Sequence, residues 1–125
     1  MKSLIDVGGS CHCGAVEFSA HTDQDIALEC NCSICQMGGF IHVIVRAENF
    51  SLIAGDEHLT TYRFHTEIAE HTFCNHCGVK PFYKPRSHPH GYSINWRCLP
   101  PETRRLFTIK AFDGQNWDEN IEHIR

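Results

Sequence analysis

Cysteine spacing constrains this chain more than any other feature. Seven of its eight cysteines fall in three short groups: Cys11-His12-Cys13-Gly14, Cys30-Asn31-Cys32-Ser33-Ile34-Cys35 and Cys74-Asn75-His76-Cys77-Gly78. Cys98 stands apart. Two sulfurs on a Cys-x-Cys or Cys-x-x-Cys turn can reach one ion. Zn²⁺ accepts four such sulfurs at about 2.3 Å and makes no geometric demand of its own. Cys11 and Cys13 together with Cys74 and Cys77 make a complete four-cysteine set, tying an N-terminal strand to a hairpin about 60 residues later. A closed set of this kind is structural, and its binding energy is folding energy. The glycine after Cys13, and again after Cys77, permits a sharp turn and leaves backbone N–H groups free to face the sulfurs. Buried free thiols and disulfides are the competing readings.

The middle group supplies three thiolates, Cys30, Cys32 and Cys35, and leaves one tetrahedral position unassigned. Three protein ligands with an open fourth position is the pattern of a reactive zinc site. Cys98 or a histidine in the fourth position would make this site structural too. Three thiolates leave the ion with a net charge near −1, so it acidifies water less than a three-histidine site does. A thiol suits the open position better, held there as the nucleophilic thiolate. The expectation is two Zn²⁺ per chain.

This reading depends on a reducing compartment. Met1 to Asp6 has one lysine, two apolar residues and then an aspartate, which does not read as a signal peptide, and no apolar run approaches the roughly 20 residues that span a bilayer. The expected localisation is cytoplasmic, without membrane association, where clustered cysteines bind metal or do chemistry more often than they pair. The formal net charge is −4, and metal-bound thiolates make it more negative. That balance excludes a nucleic-acid binder, whose affinity rests on phosphate neutralisation. The expected partners are small molecules.

Short runs rich in Val, Ile, Phe, Tyr and Thr recur between Gly, Asn, Asp and Pro. Ala15–Ser19, His42–Val45, Thr60–Phe64, Pro81–Lys84, Tyr92–Trp96 and Leu106–Lys110 read as strands. Only Asn31–Met37 and Pro100–Arg105 lean towards a helix, and Pro85, Pro89 and the Pro100-Pro101 pair break longer elements. The sequence therefore predicts one all-β domain over residues 1–125, with a motif-bearing core of about 9–117.

The motifs Gly9-Ser10-Cys11-His12-Cys13-Gly14-Ala15-Val16, Cys30 to Cys35 and Phe73-Cys74-Asn75-His76-Cys77-Gly78-Val79 resemble the glutathione-dependent formaldehyde-activating family. The likeness continues through Pro85-Arg86-Ser87, Tyr92-Ser93-Ile94-Asn95 and Cys98-Leu99, and is greatest to short members such as the zinc core of centromere protein V. The resemblance implies a small β-tent fold like that of methionine sulfoxide reductase B. It implies structural zinc at Cys11, Cys13, Cys74 and Cys77 and reactive zinc at Cys30, Cys32 and Cys35. It further implies a carbon–sulfur lyase that joins a small thiol such as glutathione to formaldehyde, giving S-hydroxymethylglutathione. The namesake enzymes are longer, so segments that might cradle glutathione are missing here. A non-enzymatic zinc module that carries a thiol or docks a protein is the alternative.

Other residues carry weaker expectations. Cys98 is a candidate alternate ligand or redox partner of the reactive group, or a small buried hydrophobe. His42 is a candidate proton shuttle. Asn95 is placed to orient a bound carbonyl, or else to satisfy backbone. Lys84, Arg86 and Arg97 are candidates to pair with the carboxylates of an acidic thiol. His88 and His90 read as loop residues.

Overall fold

The computed structural model describes residues 4–64, 68–88 and 90–113. These form short strands and two short helices, in keeping with the all-β expectation. In chain order the strands are β1 (Ile5–Asp6), β2 (Gly9–Ser10), β3 (Glu17–Thr22), β4 (Ile26–Cys30), β5 (Ile41–Arg46), β6 (Phe50–Ala54), β7 (Leu59–Tyr62), β8 (His71–Cys74), β9 (Phe82–Tyr83), β10 (Gly91–Asn95) and β11 (Thr108–Phe112). Helix α1 spans Ser33–Gly38 and α2 spans Pro101–Arg104.

The six expected strands are present with shifted ends. Trp96 leaves the expected Tyr92–Trp96 run and begins a 3₁₀ turn, Trp96–Cys98, because the Asn95 side chain accepts a hydrogen bond from the Arg97 N–H and caps it. Strands β1, β2, β4, β6 and β8 have no counterpart among the expected runs.

A five-stranded sheet has the order β11-β4-β5-β10-β9, with β11 parallel to β4 and the remaining pairs antiparallel. In a second sheet β3 pairs with β1, β2 and β6, and β7 pairs with β8 in a two-stranded ribbon. Register decides what each face of the larger sheet carries, since directly paired residues share a face and alternate residues return to it. Ile94 pairs with Val43 and with Phe82. With Ile41, Val45 and Ala27 these residues point inward against Phe18 and Ala20 of β3, forming the core. Phe18 lies 5.8 Å edge-on to Phe82 and 6.0 Å from Phe50 in a stacked arrangement.

The opposite face carries the polar residues. His42 pairs with Asn95 on one side and Leu28 on the other, Ser93 pairs with Ile44 and Tyr83, and Cys30 pairs with Phe112. One sheet face thus gathers Cys30, His42, Tyr83, Ser93 and Asn95 from four strands. The core packs against the reverse side. Phe18 is 1% exposed and touches both sheets, so Phe18→Ala is expected to cost about 3–5 kcal/mol of stability. Urea unfolding of the metal-loaded protein measures this, and a loss below about 1 kcal/mol would mean that the two sheets do not depend on this ring.

Candidate functional site

The described residues contain two groups of side chains whose ligand atoms converge closely enough to hold a metal ion. The first is Cys11, Cys13, Cys74 and Cys77, whose sulfurs all lie within 4.8 Å of one another. Cys11 follows β2 and Cys74 ends β8, so the group joins two separate sheets. The Cys11–Cys13 and Cys13–Cys74 sulfur separations are 3.6 and 3.7 Å. Four sulfurs at about 2.3 Å around a tetrahedral ion would be spaced by about 3.8 Å, so the cage fits an ion with little adjustment. Each sulfur also receives a backbone N–H, from Val16 to Cys11, Ala15 to Cys13, His76 to Cys74 and Val79 to Cys77. Gly14 (φ 81°) and Gly78 (φ 77°) make both turns possible, adopting a left-handed backbone that other residues resist.

The second group is Cys30, Cys35 and His42, again within 4.8 Å. Cys30 ends β4, Cys32 caps α1 and Cys35 lies in its first turn. The Cys32 carbonyl accepts the Gln36 N–H at 2.9 Å, which starts the helix and brings Cys35 round to the same side as Cys32. Cys32 is electrostatically coupled to both other cysteines, but its sulfur is not among the ligand atoms that converge here, where His42 stands in place of the expected third cysteine. Hydrogen bonds from Cys30 and Cys35 pull the Cys32 thiol pKa down, and the same contacts push theirs up.

His42 is 6% exposed and tightly held. Its Nε2 lies 3.0 Å from Cys35 Sγ, and its Nδ1 lies 2.8 Å from Ser93 Oγ and 3.3 Å from the Tyr83 hydroxyl. Phe40 and Tyr83 rings flank it at 4.7 and 5.6 Å. Burial, with help from the Lys80 charge, drives its pKa down to about 3, so the ring is neutral.

Sequence reasoning passed over Lys80, His71, Tyr83 and Ser93. Lys80 Nζ sits 3.8 Å over the Tyr83 ring and 5.0 Å from Phe40, and donates to His71 Nδ1 at 2.5 Å. Burial lowers its pKa to about 8, and the charges of Cys35 and Cys32 keep it from falling further. Among the described residues no carboxylate ion-pairs with it. Its opposite charges are the thiolates. The available signal was a lone lysine between a cysteine turn and the apolar Pro81-Phe82-Tyr83 run. Ser93 was legible too, since it stands two residues before Asn95 and so shares its face.

His71 is lowered to about 4, first by burial and then by Lys80. Between about pH 6.5 and 4 the unfolded chain binds a proton here that the folded chain refuses, so stability falls as pH drops through this window. His71→Phe is expected to flatten that part of the stability–pH curve relative to wild type. Parallel curves would contradict it.

The structure places the remaining candidates as follows. Cys98 is not beside the Cys30 group, as expected for a ligand or redox partner of it. It lies next to Cys11 and Cys77 because the 3₁₀ turn after β10 carries it towards β2. Burial first, and then those two cysteines, raise its pKa to about 12. Asn95 gives its amide to backbone, donating to the Lys80 carbonyl at 3.0 Å and accepting the Arg97 N–H at 3.1 Å. It therefore fixes the segment bearing Lys80. Arg86 is half-buried in the β9–β10 loop, while Lys84 and Arg97 are exposed. A groove of about 1170 Å³ runs along the same sheet face, floored by Ile26, Leu28 and Ile44 with Arg46 and Lys110 in its walls. It reaches Leu28 and Phe112, the strand partners of His42 and Cys30.

The profile of a protein family described as glutathione-dependent formaldehyde-activating enzyme matches residues 6–110. The crystal structure of a Rhodobacter sphaeroides protein is similar to this one, with a TM-score of 0.72 at 35% identity. The alignment covers 84% of this chain and 99% of that one.

Proposed function

We propose, given that the chain belongs to the glutathione-dependent formaldehyde-activating enzyme family, that it is a carbon–sulfur lyase adding a small thiol such as glutathione to an aldehyde. The observation that carries this reading is the meeting of a three-cysteine group with a half-buried ammonium, Lys80, that no carboxylate among the described residues ion-pairs. The donor set is soft, two or three thiolates and an imidazole, which suits Zn²⁺. Zinc held by Cys30, Cys32 and Cys35 would keep a substrate thiol ionised at neutral pH, while zinc at Cys11, Cys13, Cys74 and Cys77 would serve folding alone.

The chain's own residues supply the rest. As the substrate sulfur's electron pair forms the C–S bond, the carbonyl π pair moves to oxygen, and the Lys80 ammonium gives that oxygen its proton. A group with pKa about 8 is still mostly charged at pH 7 and gives up its proton readily. His71 Nδ1 and the Tyr83 ring hold the ammonium, and Asn95 holds its backbone. The groove offers room for the body of the thiol, with Arg46 and Lys110 available to its carboxylates. In the reverse direction Lys80 takes the hydroxyl proton and the aldehyde leaves.

Among the described residues no helix is long and apolar enough to cross a membrane, and all eight cysteines are free. Both observations are compatible with the proposed cytoplasmic setting, where glutathione is reduced, and neither nucleic acid nor membrane enters the reading. Thiol and aldehyde combine unaided, so the test is the initial rate of S-hydroxymethylglutathione formation above background, with Cys32→Ser as control. Wild type should exceed the control by at least about 100-fold, the lower range for positioned acid–base catalysis. Equal rates would refute the lyase reading.

A further inference from the structure

We infer that His42 Nε2 is a ligand of the metal at the Cys30 group, filling the fourth position until a substrate thiol replaces it. The inference rests on the reading of that group as a metal site, and it changes the resting state from open to closed. Three observations carry it. First, the ligand atoms of His42, Cys30 and Cys35 lie within 4.8 Å of one another. Second, the ring has no freedom to turn away, being buried and bounded by Phe40 and Tyr83. Third, its other nitrogen is committed, with Nδ1 at 2.8 Å from Ser93 Oγ and 3.3 Å from the Tyr83 hydroxyl. A metal-bound histidine is ordinarily oriented in this way, by a hydrogen bond from the ring nitrogen that does not face the ion.

The competing reading is a buried histidine satisfied by the Cys35 thiol. At 3.0 Å the Cys35 and His42 atoms are spaced to share a proton. Around an ion, sulfur at about 2.3 Å and nitrogen at about 2.0 Å would stand about 3.5 Å apart. Replacing the proton by a metal therefore asks for an opening of roughly 0.5 Å from the present 3.0 Å, which a small rotation of the Cys35 side chain supplies. The register supports ligation further. β5 sets His42 between Leu28, two residues before Cys30, and Asn95, so the imidazole projects from the same sheet face as the Cys30 sulfur.

The direct test is NMR of the full chain loaded with ¹¹³Cd at both sites, correlating each ion with the protons of its ligands. The inference expects one ion correlated with the Cys30, Cys32 and Cys35 β-protons and with the His42 ring. The other ion should show four cysteines only. His42→Ala should release the first ion to a chelator at least about 10–100-fold faster, the range for weakened support of a metal ligand, and leave the second unaffected. Cysteine correlations at the first site without a His42 correlation would overturn the inference and leave the lyase reading intact. Added glutathione should abolish the His42 correlation. A His42 correlation that persists under saturating glutathione would uphold His42 as a ligand and refute exchange by thiol, and the lyase reading with it. A single ion per chain would remove both.

Discussion

Cys74→Ser is expected to leave no stably folded protein. Cys74 is fully buried at the end of β8, and its sulfur lies 3.7 Å from that of Cys13 in the turn after β2. Among the described residues no strand pairing joins β8 to the sheet containing β2, so the four-sulfur cage is a principal tie between these parts of the chain. Structural zinc in small domains contributes on the order of 10–16 kcal/mol of apparent binding energy. A whole domain retains only about 5–15 kcal/mol of net stability. Losing one of four ligands therefore removes an amount comparable to the total. The measurement is thermal unfolding followed by circular dichroism, with metal content determined alongside. Wild type should melt cooperatively, and Cys74→Ser should show no transition. Cys98→Ser is the control, because Cys98 lies beside the cage as a protonated thiol outside its four sulfurs. It should keep both ions and nearly the wild-type midpoint. A cooperative Cys74→Ser transition within a few degrees of wild type would show that the cage is dispensable.

Lys80→Met is expected to separate activity from stability. Removing a positioned proton donor typically costs about 10²–10⁴-fold in rate, and the loss should fall on kcat, since Lys80 acts on the charge that develops at oxygen. Stability should hold or rise. A half-buried ammonium with no ion-paired carboxylate among the described residues is costly to desolvate, and an apolar side chain of similar length relieves that cost. Lys80→Arg keeps the charge but gives up its proton far less readily. It should recover part of the rate and lose the high-pH limb that wild type shows near pH 8, the value to which burial brings Lys80. Steady-state kinetics across pH, with metal content checked for each variant, decides this. Full kcat in Lys80→Met would remove Lys80 from the mechanism. A lost transition in unfolding would mean that it acts as a structural residue.

Both cysteine groups were legible because ligand spacing is a local property: two or three sulfurs within six residues have few other uses. The strongly alternating strands were legible for the same reason. β4 was not, because Ile26-Ala27-Leu28-Glu29-Cys30 is built largely from residues with good helix propensity. It becomes a strand through pairing with β5 and, in parallel, with β11 some 80 residues later. β6 depends similarly on a partner remote in sequence, β3. Long-range register also decided the surroundings of the Cys30 group. His42 drew notice as a proton shuttle, but its hold on Cys35, Ser93 and Tyr83 follows from three strand pairings and is invisible along the chain. Lys80 was hidden by its type, since a single lysine is ordinarily solvated and only tertiary packing places it over Tyr83. Cys98 reads equally as a ligand, a redox partner or a small buried hydrophobe, because sequence gives no direction to the turn that sets it near Cys11 and Cys77.

The most direct test of the two-site description is metal content per chain by elemental analysis, in wild type and in the Cys30/Cys32/Cys35→Ser triple variant. Two zinc ions should fall to one, in a variant whose circular dichroism and cooperative unfolding persist because the four-cysteine cage is untouched. One zinc ion in wild type, or an unchanged count in the triple variant, would contradict a second metal site and remove the chemical basis proposed for the lyase.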